Sequence, residues 1–234
     1  MKVILTGCTG MIGSETLRQS ILHPSITSII ILSRRPLLPS KLSPKVKVII
    51  LPDFAAYNSW LWKDLAGAKA CIWTLGGIPS KFPDLATAKK VNIDYPFEAA
   101  KAFIEHLAPQ VPGGGKFRFL YVSGHAVDRN LEKKHWVFND AIHIKGEIEN
   151  KLNQLQQSNP DTFAAYLPRP GSVIPPNSML LTIAGKLTNG LYPALKVEEF
   201  AAAMIGVAIN GASEQIISHD DLKNKGRALL DKGA

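Results

Sequence analysis

The feature that most constrains this chain is a glycine-rich turn at its start. An apolar run from Val3 to Leu5 is followed by three glycines at three-residue spacing, Gly7, Gly10 and Gly13, and then by an amphipathic stretch. This order predicts a strand, a tight turn and a helix whose free N-terminal N–H groups favour an anion. Side chains at Gly7 or Gly10 would block a pyrophosphate, and one at Gly13 would push the helix off the sheet. The usual dinucleotide fingerprint is G-x-G-x-x-G, and this pattern has one residue more between its first two glycines. It does lie between a strand and a helix, as the fingerprint requires, so it predicts a dinucleotide site. The alternative is a tight turn without a ligand.

Apolar strand-like runs alternate with helical patterns along the whole chain. We expect strands near 2–6, 27–32, 46–51, 70–75, 117–123, 162–167 and 213–217, and helices near 11–22, 85–107, 139–157, 197–210 and 220–230. Runs that are apolar throughout, such as 28–32, indicate a parallel sheet covered on both faces. The sequence therefore predicts an α/β fold with a doubly wound, mostly parallel sheet in three α/β/α layers, forming one domain over 1–234.

In such a sheet the ligand lies at the carboxyl ends of the strands, near the point where the strand order reverses. The stretch 174–196 is irregular and rich in proline and glycine. We interpret it as a small C-terminal region that covers the substrate; an ordinary surface loop is the equal alternative.

Composition narrows the class of protein. The chain has 234 residues, 46% of them hydrophobic, which suffices for a sizeable core. No apolar run could span a bilayer, and a strand that begins at residue 2 leaves no room for a signal peptide, so we expect a cytoplasmic protein without a membrane partner. We expect Cys8 and Cys71 to be reduced thiols, and we find no metal-ligand spacing. Lysines are scattered although the net charge is +8, which argues for a solvated basic surface rather than a nucleic-acid partner.

The end of the second strand selects the dinucleotide. It carries Arg34 and Arg35, and no acidic residue occurs between Glu15 and Asp53. An acidic residue would favour NAD by accepting from the ribose hydroxyls, whereas two guanidiniums can hold a 2′-phosphate by charge-assisted hydrogen bonds. The sequence therefore predicts NADP (NADPH); the alternative is a basic turn that faces solvent.

Two further turns follow strands at the same edge. Asp53 could accept from an adenine amino group and Phe54 could pack on the adenine face; a turn Asp beside a core Phe is equally compatible. The fourth strand ends in Leu75, Gly76 and Gly77. Glycines at this place allow the backbone to approach a cofactor ribose closely; the alternative is a plain turn.

Several segments together resemble the short-chain dehydrogenase/reductase superfamily, in its extended and atypical branches. They are T-G-C-T-G-M-I-G over 6–13, V-N-I over 91–93, Y-V-S-G over 121–124, K-G-E over 145–147 and L-P-R-P-G over 167–171. The chain looks most similar to small Tat-interacting-protein-like and NmrA-like NAD(P)-binding proteins. The resemblance implies a Rossmann-like fold, an Asn92 that braces the central strands, and often an oxidoreductase, including reductases of natural-product pathways.

The resemblance also implies site residues. Lys145 would hold the nicotinamide ribose and Ser123 would occupy the catalytic serine position. Together with the turns above, the expected cofactor-binding residues are Gly7, Thr9, Gly10, Met11, Ile12, Gly13, Arg34, Arg35, Asp53, Phe54, Leu75, Gly76, Gly77, Lys145, Pro170, Gly171 and Ser172. Homodimerisation is an open alternative, since the helices near 85–107 and 139–157 often form dimers in this superfamily.

One departure concerns the proton donor. The family places a Tyr four residues before the Lys, on one helix face, but this chain has Ala141 there and no Tyr from 122 to 165. Ser123 and His125 alternate with Tyr121 along the fifth strand and its exit, and are the substitutes we name for catalysis beside Lys145. A loop His bonded to backbone and a surface Lys are the alternatives.

The sequence therefore predicts an NADP(H)-dependent oxidoreductase that reduces a small organic substrate without the usual Tyr. Two alternatives stay open: a non-redox isomerase or cyclase with NADP as a structural cofactor, and a non-catalytic NADP-sensing regulatory protein.

Overall fold

The computed structural model of the chain describes residues 1–37, 43–176 and 193–232. Its centre is a parallel sheet of seven strands in the order β3-β2-β1-β4-β5-β6-β9. The strands are β1 (Lys2–Thr6), β2 (Ser28–Ser33), β3 (Val46–Ile50), β4 (Ala68–Trp73), β5 (Phe117–Tyr121), β6 (Phe163–Pro168) and β9 (Ile216–Ile217), with β7 (Ser172–Ile174) and β8 (Ala194–Lys196) forming a separate parallel pair. The helices are α1 (Met11–Leu22), α2 (Trp60–Leu65), α3 (Leu85–Lys89), α4 (Tyr95–His106), α5 (Asn139–Ser158), α6 (Val197–Asn210) and α7 (His219–Lys232).

Helices cover both faces of the sheet. Successive side chains of a strand point to opposite faces, and in β1 Ile4 packs into the cluster that contains α2, α4 and α5. Val3 and Leu5 pack into the opposite cluster, with α1, α6 and α7. Every interior position of β1 is buried, as expected of a strand covered on both sides. The predicted α/β class and the doubly wound, three-layer architecture are confirmed.

The strand order reverses beside β1. The chain runs from β1 outward to β2 and β3, then returns to β4 on the other side of β1. The two neighbouring strand ends are tied together, because Thr74 Oγ1 donates to the Thr6 carbonyl at 2.7 Å and the Leu75 N–H donates to Thr6 Oγ1 at 3.3 Å. The crevice beyond them is where a sheet of this topology binds its ligand.

Several bounds differ from the sequence prediction. Strand β4 ends at Trp73 rather than 75, and β5 ends at Tyr121 rather than 123, because the following residues turn away to form the crevice. The helix expected over 85–107 is divided by a π-helical turn, Lys90–Asp94, between α3 and α4. Helix α2 and the pair β7–β8 were not predicted.

The expected substrate cover, 174–196, is described only at its two ends, since 177–192 lie outside the described residues. Those ends are held by the pairing of β7 with β8 and by the Ser172 N–H, which donates to the Pro193 carbonyl at 2.9 Å. A Cβ at Gly171 would collide with that same carbonyl oxygen, so glycine permits the close approach. No helix in the described ranges is long and apolar enough to cross a membrane.

Candidate active site

The glycine turn after β1 is packed against its own fold. Gly7 has φ +69°, and a Cβ there would lie 2.6 Å from Thr74 Oγ1. A Cβ at Gly13 would collide with the Gly7 carbonyl oxygen, whereas one at Gly10 would meet that oxygen only at 3.4 Å. The reason given for Gly7 therefore needs correction, because Gly7 is required by its approach to the end of β4. The reason given for Gly13 agrees with the structure, since a side chain there would push α1 away from the ends of β1 and β4. Gly10 alone leaves space on the outer, exposed side.

From this turn the crevice opens into a cleft of about 450 Å³ at the carboxyl ends of β4, β5 and β6. The sequence-predicted residues that line it are Ile12, Leu75, Gly76, Gly77, Ser123, His125, Lys145, Pro170 and Gly171. The structure therefore gathers all three candidate catalytic residues around one cavity. Thr9 and Gly10 are exposed on the glycine turn, Met11 is exposed at the start of α1, and Ser172 is exposed in β7.

Lys145 projects from α5 to the floor of the cleft. Its Nζ donates to Tyr121 Oη and to the Val122 carbonyl, both at 2.9 Å. The Tyr121 hydroxyl in turn donates to the Asn92 carbonyl at 3.0 Å. Burial lowers the pKa of Lys145 to about 8, although the Glu149 carboxylate acts in the opposite direction. The third ammonium proton remains available to a ligand in the cleft.

Asn92 lies in the π-helical turn and connects the ends of the central strands. Its Oδ1 accepts from the Gly77 N–H at 3.1 Å and its Nδ2 donates to the Ala88 carbonyl at 2.8 Å. A Cβ at Gly76 would lie 2.7 Å from the same Oδ1, so the loop after β4 can pass this close only as glycine. The bracing role expected for Asn92 is confirmed.

Ser123 is part of a buried ionic network. Its hydroxyl donates to Glu149 Oε1 at 2.5 Å, and Glu149 is fully buried. Arg129 Nε donates to Glu149 Oε2, and Arg169 Nε donates to Oε1, each at 2.9 Å. Arg129 also donates to Gln215 Oε1 at 2.9 Å. The network joins the loop after β5, the loop after β6 and helix α5, and it occupies the Ser123 proton.

His125 lies at the outer side of the cleft. It is exposed, and its backbone N–H donates to the Pro170 carbonyl at 2.8 Å. Its ring centroid is 6.2 Å from that of the buried His219, whose pKa is lowered chiefly by desolvation. Ala141 also lines the cleft, one helical turn before Lys145, and its methyl group cannot donate a proton.

Helix α5 packs closely because of Gly146. A Cβ at this position would collide with the Asp128 carbonyl oxygen. A glycine within a helix is unfavourable relative to alanine, and here it permits this close approach of α5 to the loop after β5. The Ile148, Leu152 and Leu155 stripe of α5 packs into the chain's own core.

At the far end of the crevice, Arg34 and Arg35 are exposed just beyond β2, without an acidic partner within the described ranges. The Asp53 carboxylate accepts a hydrogen bond from the Ala55 N–H at 3.0 Å, and this bond is the largest cause of the lowered pKa of Asp53. The same carboxylate lies 3.7 Å from Lys90 Nζ. The prediction that its neighbour Phe54 could pack on an adenine needs correction. The Phe54 ring is buried against Trp73 and Tyr95, so it has no face free for an adenine.

Sequence reasoning missed Glu149 and its two arginines. One signal was available, because Glu149 stands four residues after Lys145 and therefore on the same helix face. Arg129 and Arg169 come from separate loops, and no local pattern brings them together. Both cysteines are buried free thiols, as expected, and burial raises the pKa of Cys8 to about 12. Within the described ranges no group of His, Cys, Asp or Glu side chains is assembled that could hold a metal ion.

Comparison with known proteins supplies a relative and several structural neighbours. The chain is 31% identical over 213 residues to "Leucinostatins biosynthesis cluster protein T" of Purpureocillium lilacinum, covering 82% of this chain and 74% of that protein. No family model matches the chain.

The structural neighbours share the fold at low identity. One is DesIV, a dTDP-glucose 4,6-dehydratase from Streptomyces venezuelae with NAD and TYD bound, with a TM-score of 0.69, 14% identity and coverage of 100% of this chain and 82% of that one. Another is the yeast methylglyoxal/isovaleraldehyde reductase Gre2 with NADPH, with a TM-score of 0.68, 14% identity and coverage of 93% and 78%. A third is the PhqB reductase domain of Penicillium fellutanum, with a TM-score of 0.66, 15% identity and coverage of 94% and 67%.

Proposed function

We propose that this chain, which belongs to the same family as "Leucinostatins biosynthesis cluster protein T", is an NADP(H)-dependent reductase of the short-chain dehydrogenase/reductase type that acts on a small organic carbonyl compound. The single observation that carries the proposal is the position of Lys145. Its Nζ is held at the floor of the cleft by Tyr121 and Val122, with a third proton directed to neither.

The residues along the crevice fit a dinucleotide. The outer side of the turn at Gly10 is open, and the N-terminus of α1 follows it directly, which suits a diphosphate. Arg34 and Arg35 are exposed just beyond β2, and two guanidiniums there would bind a 2′-phosphate through charge-assisted hydrogen bonds. Lys145 would donate its remaining proton to the nicotinamide ribose. A reduced nicotinamide, when bound, supplies a hydride.

Reduction also needs a proton, so that the carbonyl carbon receives hydride, the oxygen receives H⁺, and an alcohol and oxidised cofactor result. The Ser123 proton already engages Glu149, and Ala141 has none to give. His125 is the remaining titratable side chain of the cleft beside Lys145 within the described ranges. We assign it the delivery of that proton, exchanged with solvent at the mouth of the cleft.

The relative from a biosynthesis cluster supports a substrate of natural-product type. Ala141 stands in place of the usual proton donor, and it therefore also favours a second candidate function, a non-redox isomerase or cyclase on this scaffold. The two differ in one measurable way, because only the reductase consumes NADPH in proportion to product.

Calorimetric titration with NADP⁺ and NAD⁺ tests the cofactor. We expect NADP⁺ to bind more tightly by about 10- to 100-fold, which corresponds to the strength of hydrogen bonds to a charged group. Replacing both arginines (Arg34→Ala with Arg35→Ala) should remove most of that preference. The control is Lys116→Ala, which removes an exposed charge at the opposite, amino-terminal edge of the sheet. Tighter binding of NAD⁺ than of NADP⁺ would overturn the proposal.

A further inference from the structure

The rim of the cleft is apolar and exposed. Ile78, in the loop after β4, is 54% exposed, and Phe138, at the start of α5, is 66% exposed, yet both line the cleft. Val127 and Ile142 continue the apolar surface between them and the floor. Large apolar side chains that border a concave site favour an apolar ligand, because its binding removes both surfaces from water.

Phe138 is held in an unusual backbone conformation. It is the only non-glycine residue with positive φ in the described ranges, at φ 56° and ψ 25°. Its carbonyl accepts the first hydrogen bond of α5, from the Ile142 N–H at 2.9 Å. The left-handed region is unfavourable for a residue with a bulky side chain, whereas glycine or asparagine adopts it readily. A ring that is mostly exposed gains too little from its own packing to explain this conformation, and strained residues of this kind concentrate at ligand sites.

The cleft offers little to an anionic substrate. Among its described lining residues, only Lys145 and His125 carry titratable side chains. Lys145 already donates to Tyr121 and Val122, and its remaining proton is the one proposed for the nicotinamide ribose. The nearby guanidiniums of Arg129 and Arg169 are engaged with the buried Glu149 and do not line the cavity. A carboxylate or phosphate would therefore be desolvated without a guanidinium partner.

We propose that the substrate is a neutral carbonyl compound with an apolar ring or alkyl group, and that Phe138, together with Ile78, is the specificity-determining residue that covers this group. The inference rests on the proposed reductase function. It extends that function to the chemical class of the substrate and to side chains with no part in cofactor binding.

Three methyl ketones that differ only at the far end of the same chain test this inference. Benzylacetone ends in a phenyl group, levulinate ends in a carboxylate, and the hydroxyl analogue, 4-hydroxybutan-2-one, ends in a hydroxyl group. We expect kcat/KM for benzylacetone to exceed that for the other two at least about tenfold, the effect of burying a large apolar group. Phe138→Gly and Phe138→Asn should lower kcat/KM for benzylacetone about tenfold and leave the hydroxyl analogue unchanged.

The two substitutions have a second readout in stability. Because glycine and asparagine relieve the backbone strain, both variants should melt at or above the temperature of the parent protein. The control is Val137→Ala, the exposed neighbour outside the described cleft lining, which should change no kinetic constant. Equal loss with all three ketones in the Phe138 variants, or levulinate as the best substrate, would overturn the inference.

Binding without turnover separates this inference from the proposed function. Saturation-transfer NMR reports whether benzylacetone contacts the protein loaded with NADP⁺. If no ketone consumes NADPH but benzylacetone binds and Phe138→Gly abolishes that binding, the apolar site stands and the reductase proposal fails. If NADPH is consumed but benzylacetone binds equally well to Phe138→Gly, the reductase proposal stands and this inference fails.

Discussion

The floor and the rim of the cleft are built on opposite principles. The floor consists of Lys145 and Ser123 together with the fully buried Tyr121 and Glu149 beneath them, to which they are hydrogen-bonded. The rim consists of Ile78, Phe138 and His125, which are exposed. A buried polar group that loses its partner is costly, whereas an exposed apolar side chain can be exchanged at little cost. Stability is therefore concentrated at the floor, and substrate choice can vary at the rim.

The largest effect on stability is expected at Glu149. Glu149→Gln removes the negative charge between Arg129 and Arg169 and leaves two partly buried guanidiniums without a counter-ion. We expect the free energy of unfolding to fall by about 3 kcal/mol or more. Urea denaturation measures this free energy of unfolding.

The matched control is Glu147→Gln on the same helix. Glu147 lies 3.8 Å from Lys151 in a half-exposed pair, so its loss should cost less than about 0.5 kcal/mol. Equal destabilisation by the two substitutions would contradict the contrast between floor and surface.

The largest effect on activity is expected at Lys145. Lys145→Met keeps the volume of the side chain but removes the charged donor, and kcat/KM for NADPH should fall about 100-fold or more. Lys151→Met, at a half-exposed position of α5 outside the described cleft lining, should leave kcat/KM unchanged.

The pH profile sharpens this test. Since burial lowers the pKa of Lys145 to about 8, the ammonium form predominates below that pH and is lost above it. We expect kcat/KM for NADPH to decline as pH rises through about 8. A profile in the Lys145→Met variant that keeps the same decline would assign the titration to another group.

Tyr121 offers an intermediate effect. Tyr121→Phe removes the hydroxyl that accepts from Lys145 and donates to the Asn92 carbonyl, and should lower the free energy of unfolding by about 1–3 kcal/mol. Tyr57→Phe is the control, because the Tyr57 hydroxyl is buried with no hydrogen-bond partner within the described ranges. Removing that group should leave stability unchanged or raise it.

The smallest effect on stability is expected at the rim. Ile78→Ser should change the free energy of unfolding by less than about 0.5 kcal/mol, because the side chain is mostly exposed. KM for benzylacetone should nevertheless rise a few-fold. A stability loss comparable to that of Tyr121→Phe would show that the rim supports the fold.

Local signals explain what the sequence could predict. The run from β1 through the glycine turn into α1 was placed to the residue, because apolar pattern, glycine spacing and helix start all lie within 2–22. The bounds of α6 were also placed, and those of α5 within one residue.

What the sequence could not give depends on distant partners or on a single backbone conformation. Arg129 and Arg169 meet at Glu149 only through the packing of three elements. The direction of the Phe54 ring depends on where the chain turns after β3. The positive φ of Phe138 leaves no pattern in the neighbouring residues.

The π-helical turn between α3 and α4 also fixes where the chain length can vary. Such a turn accommodates one residue more than an α-helical turn, and here it carries Asn92 toward Gly77. Removing one residue within 90–94 would convert the turn to regular helix and keep α4 in phase with the sheet. Removing one residue later in α4 would rotate the rest of the helix by about 100° and carry Phe103 out of the core. Within the helical stretch 85–106, this argument allows a one-residue deletion in the π-helical turn, where it would also detach the brace of the candidate active site.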